Sequence, residues 1–447
     1  MKSESVFNIG IIGFGTVGTG LVSVLLDNAD EIARRVGHPV ALKRIADLDV
    51  TTDRGVRVPD GVLSQDVDAL LDDPEIDVVV ELVGGYEPAK TFILRALKAG
   101  KHVVTANKAL LAQHGEEIFA VAGEMGLEVG FEAAVGGTIP VIRAVKEGFS
   151  ANVIETVFGI VNGTGNYILT KMTEEGLDFE TVLKEAQAKG FAEADPTFDV
   201  DGIDSAHKIA ILANLCFGTP VRMEDILIEG IRLIEPVDLE FAAELGYRVK
   251  LLVAAKRVND SLDVRVCPTM LPESQIISQV GGVFNAICIK GNKSDANVLI
   301  GQGAGSLPTG AAVAADIIEI ARNRRLAGVA GAGVRVPPLS YAPEGRKPIP
   351  VRPSSEIVTS YYLRFTVEDR PGVLSAISGV LGRNAISIES VIQKGRREGE
   401  RDHVPLVMMT HEAREKDVQA ALSEIDRLEF VSAPTILIRV ETAEGQM

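Results

Sequence analysis

The chain contains no tryptophan, and aromatic residues make up only 5% of its 447 positions. Its core must therefore be filled by Val, Ile, Leu and Ala, the filling of α/β layers whose parallel strands are buried on both faces. Cysteine is scarce: Cys216, Cys267 and Cys288 are too few and too scattered for a disulfide framework or a cysteine-rich zinc site. They read as buried hydrophobes in a reducing compartment. No apolar run approaches the ~18 residues of a membrane span. The apolar opening, residues 6–17, is broken by Gly10, Gly13 and Gly15 and lacks a small-residue cleavage site, so it reads as a strand, not a signal peptide. A cytoplasmic protein is expected. Positive charge is short as well, since 45 Lys and Arg against 62 Asp and Glu leave a net charge of −17. Such a surface repels phosphate backbones and anionic lipid, so neither nucleic acid nor membrane is an expected partner.

What is present is the ordinary balance of a folded protein, 46% apolar and 24% charged, at a length that suggests about three domains. Residues 6–131 alternate β-rich runs (7–12, 40–46, 78–83, 102–105, 127–131) with helical stretches (17–28, 88–99, 115–125). That alternation implies right-handed crossovers and a parallel sheet. The region 132–309 is less regular, with a strand over 153–161, helices over about 167–175, 180–189 and 203–215, and strands of a second sheet over 250–255, 262–267 and 286–290. A helical stretch over 310–322 is expected to pack back on the first sheet, placing about 310–335 with residues 1–131. Six of the 20 prolines then fall between Pro337 and Pro353. Residues 336–354 thus read as a linker, because proline holds neither a helix nor a central strand. Beyond it, residues 355–447 spell βαββαβ, a ferredoxin-like unit.

Five places carry candidate chemistry. Gly13-Phe14-Gly15-Thr16-Val17-Gly18 follows an apolar strand and opens a helix. Gly13 permits the tight turn, Gly15 the approach of a pyrophosphate and Gly18 close helix packing, with the helix N-terminus facing the phosphates. Asp47 ends the second strand, where a carboxylate bonds ribose hydroxyls and favours NAD, although Lys43 and Arg44 nearby keep NADP open. Thr105-Ala-Asn-Lys108 lies at the C-terminal edge of a predicted parallel strand, where ligands of open α/β sheets bind. Glu132-Ala-Ala-Val-Gly-Gly-Thr-Ile139 joins the two regions, and its residues alone favour a hinge over a cation loop. Glu193, Asp195, Asp199, Asp201 and Asp204 put five carboxylates in twelve residues, followed by His207 and Lys208. Asp204 and Lys208 are i,i+4 on an otherwise apolar helix, so they point the same way from a half-buried face. A lysine held there by carboxylates can donate a proton to a carbonyl oxygen, whereas His207 reads as a packed histidine. Gly301–Gly310 is either a plain connection or a second glycine loop.

Together these residues resemble homoserine dehydrogenase in its bacterial form with a C-terminal ACT domain. The run from Ala186 to Lys208 is similar to the family signature along its length. Asn162-Gly-Thr-Gly-Asn-Tyr-Ile-Leu169 and Thr105-Ala-Asn-Lys108 also look like family motifs. The resemblance implies a Rossmann-type NAD(P) domain, a second domain for substrate and dimerisation, and NAD- or NADP-dependent reversible reduction of L-aspartate 4-semialdehyde to L-homoserine, toward threonine, methionine and isoleucine. It makes Lys208 the catalytic proton donor, Lys108 the second active-site lysine near the nicotinamide, and Glu193 and Asp204 substrate-binding carboxylates with Asp199 close by. It places a sodium ion at Glu132, Val135, Gly137 and Ile139, mostly on backbone oxygens, and a cofactor contact at Gly305. Asp369-Arg-Pro-Gly-Val-Leu374 followed by Ile386–Val391 looks like an ACT domain, implying an amino-acid effector, with L-threonine expected, and a homodimer or homotetramer. Two rivals are weighed: a dehydrogenase of 2-hydroxy acids, which needs an imidazole acid–base, and a non-catalytic NAD sensor, which needs no proton donor.

Overall fold

The valine- and isoleucine-rich runs near the start assemble into a six-stranded sheet. Its strands are β1 (Phe7–Ile12), β2 (Val40–Ala46), β3 (Leu63–Ser64), β4 (Val78–Glu81), β5 (His102–Thr105) and β6 (Val129–Gly130). Their order is β3-β2-β1-β4-β5-β6, with every neighbouring pair parallel. The order reverses beside β1, which leaves a crevice at its C-terminal end. The computed structural model describes residues 6–330, 336–394 and 403–441. As expected, the helix Ser306–Ala330 returns to this sheet: Val313, Ile317 and Ile320 share a buried cluster with Ile9, Ile11, Leu21 and Val22. Residues 331–335 of the expected return segment lie outside the described residues.

The second sheet begins with β7 (Ile154–Ile160), β8 (Leu227–Ile228), β9 (Tyr247–Val258), β10 (Ser261–Pro272), β11 (Phe284–Gly291) and β12 (Asp295–Gln302). The C-terminal unit adds β13 (Val358–Glu368), β14 (Ile388–Gln393), β15 (His403–Thr410), β16 (Ala413–Arg414) and β17 (Val431–Val440), with helices Val373–Arg383 and Glu415–Ile425 completing βαββαβ. The two are one sheet of 11 strands, running β12-β11-β7-β9-β10-β17-β13-β15-β14, with β8 on β10 and β16 on β13. The splice is a parallel pairing of Thr269 with Arg439 and Met270 with Val440. Buried ion pairs reinforce it. Arg439 bonds both Glu229 and Glu415, Arg265 pairs with Asp263 and Glu441, and Arg364 meets Asp238 through two bonds of 2.6 and 3.0 Å.

Several elements differ from the sequence reading. The helix placed over 115–125 starts at Lys108, because the Asn107 side chain caps it by accepting the Leu110 amide. The helix placed from 167 starts at Gly163, since Asn162 accepts the Gly165 amide and turns the supposed loop into a first turn. The strand expected over 127–131 shrinks to β6. The helices Ala29–Val36 and Pro236–Glu244 and the strand β12 were not anticipated. The proline-rich stretch forms no α-helix in its described part, yet it is strapped down rather than free. Tyr341 donates to the Cys216 carbonyl at 2.8 Å, Thr219 bonds both Lys347 and Ile349, and Leu262 brackets Pro350 and Arg352. All three cysteines are free and buried.

Candidate active site

The glycine turn sits where the sequence places it. Gly13 has φ +99°, and a Cβ on it would stand 2.7 Å from the Leu82 carbonyl carbon, while one on Gly18 would stand 2.4 Å from the Gly13 oxygen. Gly15 faces open space, with nothing within 4 Å of its Cβ position. A cavity of about 430 Å³ opens in front of it, lined by Gly13, Gly15, Asp47, Leu82, Val83 and Phe92 among others. A glycine that only packs has neighbours; this one leaves room for a pyrophosphate at a helix N-terminus. The turn therefore fits a dinucleotide. Phe14 is buried, and Thr16 and Val17 open the helix Thr16–Asp27. Asp47 accepts the Phe14 and Asp49 amides, which ties the end of β2 to the turn. The cation beside it is Arg54, 3.4 Å away and stacked over the Phe14 ring, whereas Lys43 and Arg44 are engaged by Asp73 and Glu75. Gly305, at φ +135°, precedes the helix Ser306–Ala330, whose Ser306 hydroxyl donates to the Thr16 carbonyl at 2.7 Å. The segment around Gly301–Gly310 thus closes against the glycine turn.

The parallel strands deliver the next residues to the same edge. Thr105 ends β5 and donates to Glu81 Oε2 at 2.7 Å. Glu81, fully buried at the end of β4, also accepts the Val83 and Gly84 amides. It was missed in the sequence; its signal is a lone acid closing an all-valine strand. Lys108 follows at the first turn of its capped helix, and its Nζ stands 3.2 Å from Asp204 Oδ1.

The acidic stretch splits in two. Asp204 and Lys208 lie one turn apart on the buried helix Ile203–Phe217, and Lys208 Nζ donates to Asp204 Oδ2 at 2.7 Å and to the Val161 carbonyl at 2.6 Å. Asp199, half-buried on the short helix Thr197–Val200, joins them through Asn162, whose amide nitrogen donates to Asp199 Oδ1 (2.7 Å) and Asp204 Oδ2 (2.9 Å). Glu193 is exposed, and among the described residues its carboxylate makes no hydrogen bond or ion pair with this cluster. Asp195 accepts the Thr197 amide, and Asp201 pairs with Arg232. His207 is packed, as expected, against the Phe198 ring. Burial pushes the Lys208 ammonium below the ordinary lysine range, against the pull of Asp204. Burial would raise Asp204, but Lys208 and Lys108 outweigh it and hold that carboxyl well below its usual range. Asp199 is held above its usual value by burial. A desolvated ammonium with two N–H groups engaged among the described residues is equipped to give its third proton to a bound oxygen.

The loop 132–139 joins the two halves. Both Glu132 carboxylate oxygens accept backbone amides, those of Ile142 and Arg143 at 2.7 and 2.9 Å. Thr138 is anchored on the Gln302 carbonyl through its amide and its hydroxyl, each at 3.1 Å. Gly136 and Gly137 turn the chain at φ +79° and +59°. The Glu132 and Ile139 carbonyls each accept one amide, while those of Val135 and Gly137 accept none among the described residues. Spare carbonyl oxygens in a buried turn are the donor set of a hard cation, so this loop fits sodium through its backbone.

Three family profiles match successive parts of the chain. The family profile of the homoserine dehydrogenase NAD-binding domain matches residues 13–132, that of homoserine dehydrogenase residues 140–318, and that of the ACT domain residues 361–430. The homoserine dehydrogenase of Pseudomonas aeruginosa is 44% identical over 435 residues, covering 97% of this chain and 98% of that protein. A crystal structure of a homoserine dehydrogenase from Thiobacillus denitrificans superimposes with a TM-score of 0.90 at 43% identity, covering 98% of each chain. A hyperthermophilic archaeal homoserine dehydrogenase in complex with NADPH gives 0.60 at 27% identity, covering 70% of this chain and 97% of that one.

Proposed function

The chain belongs to the homoserine dehydrogenase family of NAD(P)-dependent oxidoreductases with a C-terminal ACT domain, and from that premise we propose how its own residues run the reversible reduction of L-aspartate 4-semialdehyde to L-homoserine. The reduced dinucleotide supplies the hydride that reaches the aldehyde carbon. Gly13 to Gly18 cradle its pyrophosphate, and Thr105, Lys108 and Gly305 line its path toward the second domain. Asp47 and Arg54 flank the ribose end, a carboxylate for NAD hydroxyls and a guanidinium for an NADP 2′-phosphate. Glu193 and Asp204 hold the substrate ammonium, with Asp199 beside them. Lys208 stabilises the growing alkoxide and passes its proton to that oxygen, so hydride and proton together make the alcohol. Lys108, on the far side of Asp204, holds that carboxylate charged and faces the nicotinamide end.

The observation that carries this reading is the buried Lys208–Asp204 pair, joined through Lys108 to the C-terminal edge of the first sheet. The backbone oxygens of Glu132, Val135, Gly137 and Ile139 would hold a sodium ion, which would stiffen the turn between the two halves. The helix Val373–Arg383 starts without a side-chain cap behind Gly372, which supports an amino-acid carboxylate there and L-threonine as effector. Among the described residues β12 and β14 end the long sheet without a further strand, which supports assembly as a homodimer or homotetramer. The test is the absorbance of reduced nicotinamide on adding L-homoserine with NAD and, separately, with NADP, then with L-threonine added. Growth ranks the cofactors, and a fall with threonine supports the effector. Silence with both cofactors, in protein that binds dinucleotide, would overturn the assignment.

A further inference from the structure

The hinge of the acidic cluster is a residue with no charge. Asn162 lies between the end of β7 and the helix Gly163–Glu175, and only 4% of it is exposed. Its side chain is fully used. The carbonyl oxygen accepts the Gly165 amide at 2.7 Å, which caps the helix, and the amide nitrogen places one bond on each of two carboxylates, Asp199 and Asp204. The preceding carbonyl, Val161, takes a bond from Lys208. A two-residue corner therefore fixes three groups that arrive on two helices, Asp199 on Thr197–Val200 and Asp204 with Lys208 on Ile203–Phe217.

Capping alone does not account for this residue. Ser, Thr and Asp cap as well as Asn, but only a primary amide accepts at the cap while donating two hydrogens forward. Two carboxylates at a shared site repel each other. An amide with one hydrogen on each is what sets their spacing without adding charge. We infer that Asn162 is a positioning residue for the reaction, setting the spacing of Asp199 and Asp204 and, through Asp204, the place of the Lys208 ammonium. The inference rests on the reading that Lys208 and Asp204 work on homoserine. The titratable groups facing the pair are Lys208 and His207 from the same helix as Asp204, the latter pushed below its ordinary value by burial, and Lys108 from the helix Lys108–Met125.

The test uses two substitutions that keep the cap, Asn162→Ser and Asn162→Asp, in the full chain. The readouts are kcat and KM for L-homoserine across pH, alongside Tm. Removing a donor from a charged carboxylate raises its pKa. With Asn162→Ser the acid limb of kcat/KM should therefore move to higher pH and its plateau fall about tenfold or more, at a Tm close to that of the unsubstituted protein. Asn162→Asp, which sets a third carboxylate against the other two, should lose at least as much. Two results overturn the inference: kcat/KM within twofold for both variants, or a loss that comes with a lowered Tm and an unmoved pH profile. No turnover by the unsubstituted protein would sink the homoserine reading and this inference with it. Full turnover there, with indifferent variants, removes Asn162 alone.

Discussion

At the scale of single residues, the site is a problem of holding charge out of water. Lys208 and Asp204 are both buried, and each is tolerable there only because of the other. That dependence makes the roles separable. Lys208→Ala removes the proposed proton donor but leaves the glycine turn, which a separate segment of the chain builds, untouched. Turnover should fall on the order of 10³-fold, within the range of general-acid catalysis, while binding of reduced dinucleotide, read by its fluorescence, stays near that of the unsubstituted protein. Near-normal turnover would take Lys208 out of its role. The sequence shows Lys208 and Asp204 together because an i,i+4 pair is a local pattern. It hides Asn162, whose work depends on three elements meeting, and it does not separate the exposed Glu193 from the buried Asp204 in the same acidic run.

At the scale of elements, legibility follows burial. Strands β1 and β4, apolar along most of their length, and β5 with its buried Val103 and Val104 can be read directly, and so can the βαββαβ order of the C-terminal unit. The strand β12 cannot, because Asp295–Gln302 is mostly half-buried or exposed and its residues mix polar and apolar types. Helix starts at Lys108 and Gly163 are set by asparagine side chains rather than by periodicity, so the apolar pattern alone misses the first turns. One contact between elements has a measurable pH signature. Asp316, on the helix Ser306–Ala330, accepts the Glu132 amide at 2.8 Å, and burial together with the Glu132 charge pushes its carboxyl up to about 8. The folded chain then keeps a proton that the unfolded chain releases near its ordinary carboxylate value. This group's contribution to stability is therefore present at low pH and lost as pH climbs toward 8. Asp316→Asn, which needs no proton, should gain stability that grows between pH 5 and pH 8 and reaches at least about 1 kcal/mol, on the order of a few degrees in Tm. Thermal scans at the two pH values check it; an equal gain at both, or a loss, contradicts it.

At the scale of the whole molecule, the catalytic and ACT portions are held by ions rather than by a loose tether. Asp238 is fully buried beneath Arg364 and Tyr362. Arg364→Met strands that carboxylate, and denaturant unfolding should show a loss of about 3–5 kcal/mol. Asp238→Leu combined with Arg364→Met removes both charges and should recover most of it. If the double variant is as weak as the single one, the loss lies in packing instead. No sequence pattern announces this seam, because the partners lie more than a hundred positions apart and the splice pairs only Thr269 and Met270 with Arg439 and Val440.

The shared sheet also bears on whether the regulatory part is dispensable. A module hung on a flexible tether can be clipped off and leave an intact enzyme behind. Here, ending the chain before β17 would uncover the flank of β10 as a raw edge. It would also leave Arg265 and Lys256 without the Glu441 carboxylate they share. Amputation would thus injure the catalytic half at its own core, and a shorter version of this enzyme would have to redesign β10 before it could lose its C-terminus.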